Sequence, residues 1–410
     1  MLEPGRLRLS TKPQAAETKA LEITADAGSM TATVAGHELT LFIETWPLIH
    51  AMLRDIRAAQ TRVWLETYIF HDDAAGQAVA DALRERAAAG VQVRVLYDAI
   101  GSTYTSWAFF RALEQSGVKV HAFHSVREAL WRFSFLRILN RRDHRKLLVI
   151  DDTVAYFGGM NVIDTTLGSV PPTEPLPISA GWRDVHVRLS GPQQREAAES
   201  FERIWRLAHG EPVARRPKAY RRGALAAGEE SIQFFDSGPG MKHTRAARLF
   251  ARLIRSARRR ITFSMAYFLP VGGVLRELLR VPRRGVSVRV VVPGESDVPL
   301  VQHASHYLYT RLLRRRIRVY ERQANMLHSK VMIVDNAWVV VGSCNLDARS
   351  LLINYEFLAV IRSENLARLL TRIVGEEIVH SKRITVEEFQ EHSWRRRLID
   401  RLAWCLRWWL

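Results

Sequence analysis

Residues 144–151 read HRKLLVID, and residues 328–335 read HSKVMIVD. Both segments fit the pattern H-x-K-x4-D, and after six more residues each reaches a Gly-Gly or Gly-Ser pair and then an asparagine. The two copies lie in different halves of a 410-residue chain, so they belong to two structural repeats rather than to one local element. This spacing predicts a duplicated fold with one composite site.

Within each copy the positions between the polar residues are almost all Leu, Val, Ile or Met, which indicates buried strands over 144–150 and 328–334. Residues two apart on a strand face the same side, so each histidine projects together with the lysine that follows it. A second apolar strand and the glycine turn then bring an asparagine to the same point. The converging donors are His144, Lys146, Asn161, His328, Lys330 and Asn345. Such a set predicts an anion site, and a tetrahedral phosphate fits it.

Two imidazoles on either side of a phosphate can divide the work of substitution at phosphorus. One attacks and forms a phosphohistidine, while the other protonates the leaving alkoxide and later deprotonates the incoming alcohol or water. The lysines and asparagines hold the equatorial oxygens, a task that magnesium performs in kinases. The sequence contains nothing else that looks like a dedicated metal site, and we expect neither a metal nor another cofactor in catalysis.

At these residues the chain resembles the phospholipase D superfamily, whose hallmark is the duplicated motif. The resemblance extends over nearly the whole chain. Further segments resemble the bacterial cardiolipin synthases, in their shorter type without amino-terminal membrane spans, and these are residues 97–102, 140–151, 267–270 and 345–356.

The resemblance also implies an acid partner for each histidine, further along the same repeat. The matching residues are Asp184 in the first repeat and Glu356 in the second. A carboxylate that accepts from the imidazole N–H fixes the tautomer and stabilises the imidazolium; the alternative is that both are ordinary surface acids. Asp151 and Asp335 complete the catalytic motif, and we expect them to brace the lysines and turns rather than touch substrate.

Helix and strand patterns alternate in both halves. Residues 62–70 correspond to 260–268, and residues 90–96 correspond to 285–291. This alternation predicts an α/β fold made of two phospholipase D-like repeats, each a central mixed β-sheet flanked by helices, with the composite active site at their interface.

We expect the first repeat at residues 1–215, the second at 216–390 and a basic amphipathic membrane-contact helix at 391–410. The boundary between the repeats is predicted in the stretch 212–223, where proline, arginine and lysine crowd together. A proline-rich loop at 171–177 is predicted to form part of the rim of the site.

The charge of the chain calls for a polyanionic partner. The sequence has 60 Lys and Arg and 42 Asp and Glu, which gives a formal charge of +18. Both nucleic acid and anionic lipid are partners of the opposite charge. The two cysteines provide no disulfide framework, which suits a reducing compartment. No signal peptide and no run of eighteen apolar residues is evident, so we expect a protein that is soluble or lies on a membrane without spanning it.

The carboxyl end favours the membrane surface. One helical face carries Trp394, Leu398, Leu402, Cys405, Leu406 and Trp409, and the other carries Arg396, Arg397, Asp400, Arg401 and Arg407. A basic, tryptophan-rich amphipathic helix suits an interfacial anchor, although a helix packed on its own domain has the same pattern. The aromatic and arginine residues of 131–139 are a second candidate contact, as a lipid-entry lip or as a core helix.

Three functional classes follow from these expectations. The resemblance implies a cardiolipin synthase that acts on two phosphatidylglycerol molecules and releases glycerol, placed peripherally on the cytoplasmic side of the bacterial inner membrane. The alternative is a phospholipase D-type phosphodiesterase that hydrolyses phospholipid or nucleic acid, and the third is a non-catalytic basic binding protein. Nucleic acid is the less favoured partner, because the aromatic residues cluster with arginine in amphipathic stretches instead of following a basic groove.

Overall fold

The computed structural model describes residues 29–124, 140–166, 181–213, 229–239, 245–390 and 393–409. Three expectations therefore fall outside the described residues: the lip at 131–139, the loop at 171–177, and the division between the repeats at 215 and 216.

Eight strands form the first sheet within the described part of the chain. Their order across the sheet is β1-β2-β8-β7-β6-β3-β4-β5. The strands β3, β4 and β5 run parallel to one another, and every other neighbouring pair is antiparallel. The bounds are β1 Ser29–Val34, β2 His37–Phe42, β3 Arg62–Thr67, β4 Gln92–Asp98, β5 Lys119–Phe123, β6 Leu147–Ile150, β7 Val154–Gly158 and β8 His186–Ser190.

The second sheet, over the described residues, has eight strands in the order β16-β12-β11-β10-β13-β14-β15-β9. Its strands are β9 Ser231–Ser237, β10 Arg260–Met265, β11 Ser287–Pro293, β12 Arg318–Arg322, β13 Lys330–Val334, β14 Trp338–Gly342, β15 Glu356–Arg362 and β16 Ser381–Ile384. The run β15-β14-β13-β10-β11-β12 repeats the run β8-β7-β6-β3-β4-β5 of the first sheet, with the same parallel and antiparallel pairings. The prediction of two α/β repeats with mixed sheets is confirmed.

Helices cover the outer faces of both sheets and fill the space between them. Those of the first repeat are α1 Thr45–Ala58, α2 Ala74–Ala88, α3 Trp107–Gln115 and α4 Gln194–Ala208. Those of the second repeat and the carboxyl end are α5 Arg245–Ser256, α6 Gly272–Arg280, α7 Pro299–Leu313, α8 Ala348–Leu352, α9 Glu364–Val379, α10 Val386–Gln390 and α11 Trp394–Cys405. Side chains at the N-caps accept backbone N–H groups in α2, α3, α8, α9 and α11, which satisfies donors that the first turn leaves unpaired.

One shared core joins the repeats. Apolar side chains from the facing sides of both sheets pack with α4 and α9 in a single cluster. The rings of Phe157 on β7 and Phe357 on β15 meet edge to face across this cluster, with centroids 6.0 Å apart. Burial of this interface holds the two sheets in a fixed relation, and the site between them depends on that relation. Among the described residues, none of the helices is both long and apolar enough to cross a bilayer.

Candidate active site

His144 lies just before β6, and the acid that holds its ring is Glu356 at the start of β15. The Nδ1 atom of His144 lies 3.1 and 3.2 Å from the two carboxylate oxygens of Glu356. The hydroxyl of Ser343 donates to the same carboxylate and accepts from the Phe357 backbone N–H at 3.0 Å. Because Glu356 is fully buried, these contacts fix the imidazole and leave Nε2 as the ring nitrogen available to a substrate.

His328 lies just before β13 and is held by Asp184 in the same way. Its Nδ1 lies 2.7 Å from Oδ2 of Asp184, whose Oδ1 accepts from the Val185 backbone N–H at 2.7 Å. A Cβ added at Gly159 would lie 2.1 Å from Oδ1 of Asp184. The first copy of the motif therefore requires glycine at this position, because any side chain would displace the carboxylate of Asp184.

The two histidine–acid pairs cross between the repeats. Glu356 belongs to the second repeat and holds His144 of the first, while Asp184 of the first repeat holds His328 of the second. The prediction that each histidine is oriented by an acid of its own repeat is therefore wrong. Both acids do contact imidazoles, and the alternative that they are ordinary surface acids is wrong as well.

Backbone hydrogen bonds between the repeats explain the crossing. The N–H of His144 donates to the carbonyl of Tyr355 at 3.0 Å, and the N–H of His328 donates to the carbonyl of Arg183 at 2.7 Å. Tyr355 and Arg183 are the residues just before the two acids. For the same reason the strands begin later than predicted, at Leu147 and Lys330, since the preceding residues pair with the other repeat.

The motif lysines are buried on the inner side of the site. Lys146 donates from Nζ to the carbonyl of His144 at 2.7 Å, and Lys330 makes the equivalent bond to the carbonyl of His328. The Lys330 ammonium also lies 3.5 Å from Oδ2 of Asp184. Each lysine therefore lies beside the histidine of its own motif, as the spacing predicts.

Asn161 and Asn345 occupy equivalent positions after β7 and β14. Both are buried, and each precedes a residue that bridges to the end of β3 or β10. The side-chain oxygen Oδ1 of Asn161 accepts from the Ile69 backbone N–H at 3.2 Å, so the side-chain NH₂ remains as a donor. No hydrogen-bond partner for Oδ1 of Asn345 occurs among the described residues.

Asp151 and Asp335 do not reach this site. They lie at the far ends of β6 and β13, both at positive φ, where Asp is one of the tolerated residues. Asp151 accepts from the backbone N–H groups of Thr61 and Arg62 at 2.8 and 3.0 Å, and Asp335 accepts from that of Arg260 at 2.9 Å. They fasten the turns before β3 and β10, as expected. Their inclusion among the catalytic residues is therefore wrong. Neither contacts a motif lysine.

Burial sets the protonation of the cationic groups. Burial, together with Lys146 and Lys330, holds the pKa of His144 well below its usual range. The pKa of His328 is also lowered, by burial and by Lys330, but the hydrogen bond to Asp184 opposes this shift. Burial and the nearby Lys330 lower the pKa of Lys146 to about 7. A site with two buried ammonium groups and two imidazoles is complementary to an anion.

The two acids differ in protonation. Burial raises the pKa of Glu356 well above its usual range, and Lys146 only partly offsets this. Burial acts in the same direction on Asp184, but Lys330 and the His328 hydrogen bond outweigh it and hold the Asp184 pKa below its usual value. His328 therefore faces a firmly ionised carboxylate, whereas the carboxyl beside His144 accepts protons readily.

Three further residues complete the surroundings and were not assigned from the sequence. Tyr68 lies edge-on to His144 with ring centroids 5.0 Å apart, and Trp182 lies 5.1 Å from the His328 ring. Buried Asp98 accepts the Asp143 backbone N–H at 2.9 Å and so anchors the segment before His144. The sequence could have indicated Tyr68 and Asp98, because they lie at the ends of β3 and β4 and parallel strands end at the same edge of a sheet.

An exposed aromatic loop follows β4 beside this edge. Tyr104 and Trp107 expose 89% and 72% of their surface, and Ile100 lies near them in the sequence. The loop is tied to the site because Ser102 accepts from the Phe70 backbone N–H at 3.0 Å, and Gly101 lies directly against Tyr68. The exposure of these residues was not predicted from the sequence.

The carboxyl-terminal helix α11 packs on the second repeat through one side and presents its apolar face to solvent. Asp400, which was expected on the polar face, is buried, and Trp404 stacks on Tyr307 with centroids 5.4 Å apart. On the other side Leu402 exposes 58% of its surface, and Trp409, in the turns that follow the helix, exposes 73%. The helix is thus both packed on its own domain and amphipathic toward solvent.

Comparison with known proteins identifies the family. The family model described as "Cardiolipin synthase, PLD-like domain" matches residues 52–170 and 250–378, which is more than half of the chain. A cardiolipin synthase of Halalkalibacterium halodurans is 33% identical over 349 residues, covering 84% of this chain and 67% of the relative. A cardiolipin synthase A of Pseudomonas putida is 33% identical over 371 residues, covering 90% and 74%.

The chain belongs to the phospholipase D-like cardiolipin synthase family. It is thus an enzyme, a phosphatidyltransferase of the phospholipase D superfamily. Among solved structures, the phosphatidylserine synthase of Haemophilus influenzae superposes with a TM-score of 0.63 at 16% identity, covering 91% of this chain and 95% of that one. The polyphosphate kinase of Porphyromonas gingivalis gives 0.56 at 15% identity, with 89% and 52% covered. At these identities the two structures share the fold with this family member.

Proposed function

We propose that the enzyme transfers a phosphatidyl group from one phosphatidylglycerol to a glycerol hydroxyl of another, giving cardiolipin and glycerol through a phosphohistidine. The observation that carries the proposal is the pair of crossed contacts, His144–Glu356 and His328–Asp184, beside two buried lysines. Two oriented imidazoles are what a two-step displacement at phosphorus requires, and family membership supplies the class of substrate.

In the first step, Nε2 of His144 attacks the phosphorus of phosphatidylglycerol. The N–P bond forms as the P–O bond to glycerol breaks, and the departing alkoxide takes the Nε2 proton of His328. His328 enters this step as the imidazolium, a form that the ionised Asp184 and the bound phosphate anion stabilise. His144 suits the attack because its lowered pKa keeps the lone pair available. As positive charge develops on the phosphorylated ring, the Nδ1 proton is shared with Glu356, whose raised pKa favours accepting it.

In the second step, His328 acts as the base. It removes the proton from a hydroxyl of the second phosphatidylglycerol, and the resulting oxygen attacks phosphorus as the N–P bond to His144 breaks. The His328 imidazolium that forms faces Asp184, and their 2.7 Å contact stabilises it. Each histidine thus returns to its starting state, and the proton delivered to glycerol is recovered from the acceptor lipid.

The lysines and asparagines supply the electrostatic stabilisation of this chemistry. Lys146 and Lys330 are placed to neutralise the phosphoryl oxygens, while Asn161 and Asn345 add amide donors from equivalent positions. The proposed reaction uses neither a metal nor another cofactor.

We also propose that the enzyme works as a peripheral protein on the cytoplasmic side of the bacterial inner membrane. Two surfaces support this: the exposed apolar face of α11, flanked by arginines, and the loop with Tyr104 and Trp107 beside the site. Tryptophan and tyrosine favour the lipid–water interface, and arginine is attracted to anionic headgroups. These surfaces, rather than a basic groove with spaced aromatics, are why a lipid substrate is proposed over nucleic acid.

The test is to incubate the purified enzyme with labelled phosphatidylglycerol in vesicles and to resolve the products. Cardiolipin with glycerol is the expected result. Phosphatidic acid with glycerol would show a hydrolase, and absence of turnover would show a binding protein; either outcome overturns the proposal. The variant His144→Gln should abolish both products, whereas His380→Gln, an exposed histidine after α9, should leave them unchanged and serves as the matched control.

A further inference from the structure

A second cluster of metal-ligating side chains lies away from the active site, where α11 meets α7. His303 and His306 are three positions apart on α7, so they project from one face of the helix. Asp400 approaches them from α11. One ligand atom from each of the three residues lies within 4.8 Å of the other two.

The burial of Asp400 needs an explanation that its hydrogen bond does not supply. Its Oδ1 lies 2.7 Å from Nδ1 of His303, but its Oδ2 has no hydrogen-bond partner among the described residues. The residue is only 1% exposed. A buried carboxylate oxygen without a partner is costly, and a cation at this point would satisfy it.

The second histidine carries a feature of metal sites. Nε2 of His306 lies 3.1 Å from Oε1 of Glu321 on β12. A carboxylate that holds one ring nitrogen fixes the orientation of the imidazole, and this is the usual outer support of a metal-ligating histidine.

We propose that His303, His306 and Asp400 form a zinc-binding site that fastens α11 to α7. Two imidazoles and one carboxylate are a ligand set that zinc accepts, with a water in the fourth position. Tetrahedral zinc needs ligand atoms about 3.3 Å apart, so the cluster closes on the metal through small side-chain rotations. The proton on Nδ1 of His303 moves to Nε2 on the solvent side as Nδ1 takes the metal.

The site has a structural consequence for the carboxyl-terminal helix. One turn further along both helices Tyr307 stacks on Trp404, so the metal and the aromatic pair would hold α11 at two successive levels. The partly exposed His303 gives the ion a path of entry. Zinc would then keep the apolar face of α11 turned outward, without taking part in phosphoryl transfer.

The test uses the full chain, stripped of metal and titrated with zinc against a chromophoric chelator. We expect one zinc per chain, and a tetrahedral absorption band when cobalt replaces zinc. The variant His303→Gln keeps a hydrogen-bond donor for Asp400 but removes a zinc ligand. Loss of a residue that only supports a ligand already costs about 10–100-fold in metal affinity, so loss of the ligand itself should weaken zinc binding at least about 100-fold. His380→Gln is the control and should bind as the wild type does.

Hydrogen exchange provides a second measurement. With zinc at about 100 times its dissociation constant, opening of α11 should become about 100-fold rarer in the wild type and unchanged in His303→Gln. Absence of zinc binding by the wild type, or equal binding by His303→Gln, would overturn the proposal. Circular dichroism of each variant separates loss of the site from loss of the fold. Because turnover of phosphatidylglycerol is not part of the measurement, the result is independent of the proposed function.

Discussion

The crossed contacts predict which variants behave alike. Asp184→Asn removes the charge that faces His328, and Glu356→Gln removes the group that faces His144, with little change of shape. If Asp184 acts through His328, the kinetic defects of Asp184→Asn should follow those of His328→Gln. Those of Glu356→Gln should follow His144→Gln. Pairing within one repeat would give the opposite correspondence.

The expected magnitude follows from the geometry. The contact between Asp184 and His328 is short, at 2.7 Å, and both groups are buried. A hydrogen bond to a charged group contributes about 1.5–3 kcal/mol, which corresponds to about 10- to 150-fold in rate. Replacing His328 or His144 itself should cost at least about 100-fold, the low end for losing a positioned acid or base.

The assay compares two leaving groups in the first turnover. Nitrophenolate leaves a phosphatidyl ester without needing a proton, whereas glycerol must be protonated as it leaves phosphatidylglycerol. His328→Gln and Asp184→Asn should therefore lose much less activity with the nitrophenyl ester, while His144→Gln and Glu356→Gln should lose as much with either. An Asp184→Asn defect that matches His144→Gln instead would refute the crossed arrangement. The exposed Asp81→Asn controls for the substitution itself.

Further outcomes are expected from the same structure. Gly159→Ala should reduce turnover at least about 10-fold, because its Cβ would lie 2.1 Å from the carboxylate that holds His328; wild-type rates would show that the carboxylate can move. The pKa of Lys146 is lowered to about 7, so its charged form is lost as pH rises through that value, and kcat/KM should fall on the alkaline side. In Lys146→Arg the alkaline fall of kcat/KM should move to higher pH, because arginine stays charged. A pH profile identical to that of the wild type would show that another group causes the fall. Turnover of a soluble phosphodiester should survive exhaustive chelation, and recovery that depends on added magnesium would contradict the lysine-based mechanism. Removing residues 394–410 should weaken sedimentation with phosphatidylglycerol vesicles more than turnover of the soluble substrate, since each basic residue near the surface contributes about 1 kcal/mol; equal binding would show that the membrane contact lies elsewhere.

The repeats were predictable because their determinants are local. Alternation of helix and strand patterns, and the apolar runs after His144 and His328, require only neighbouring residues, and the sheets confirm them. The projection of each lysine beside its histidine follows from the strand period. Arg145 lies between them on the opposite face, where it pairs with buried Glu66 at 3.0 Å.

The crossing of the acids was not predictable in this way. It depends on which backbone segments pair between the repeats, and no period within one repeat encodes that. Asp151 was counted among the catalytic residues because it belongs to the motif, although it was expected to brace the turn and does lie at the far end of β6. The burial of Asp400 was missed because a helical wheel shows the faces of α11 and not the histidines that α7 brings to it.

The crossed pairs also limit how such an enzyme can arise and diverge. A chain with one repeat carries a histidine and an acid that cannot serve each other, so it becomes complete only when two copies face one another. In such a pair both halves are identical by necessity. Joining them in one polypeptide allows each half to change alone, and this chain has done so: Gly159 with Asp184 on one side corresponds to Ser343 with Glu356 on the other. The two histidines can therefore differ chemically in a chain with two unlike repeats, whereas a symmetric pair of identical repeats would make them equal.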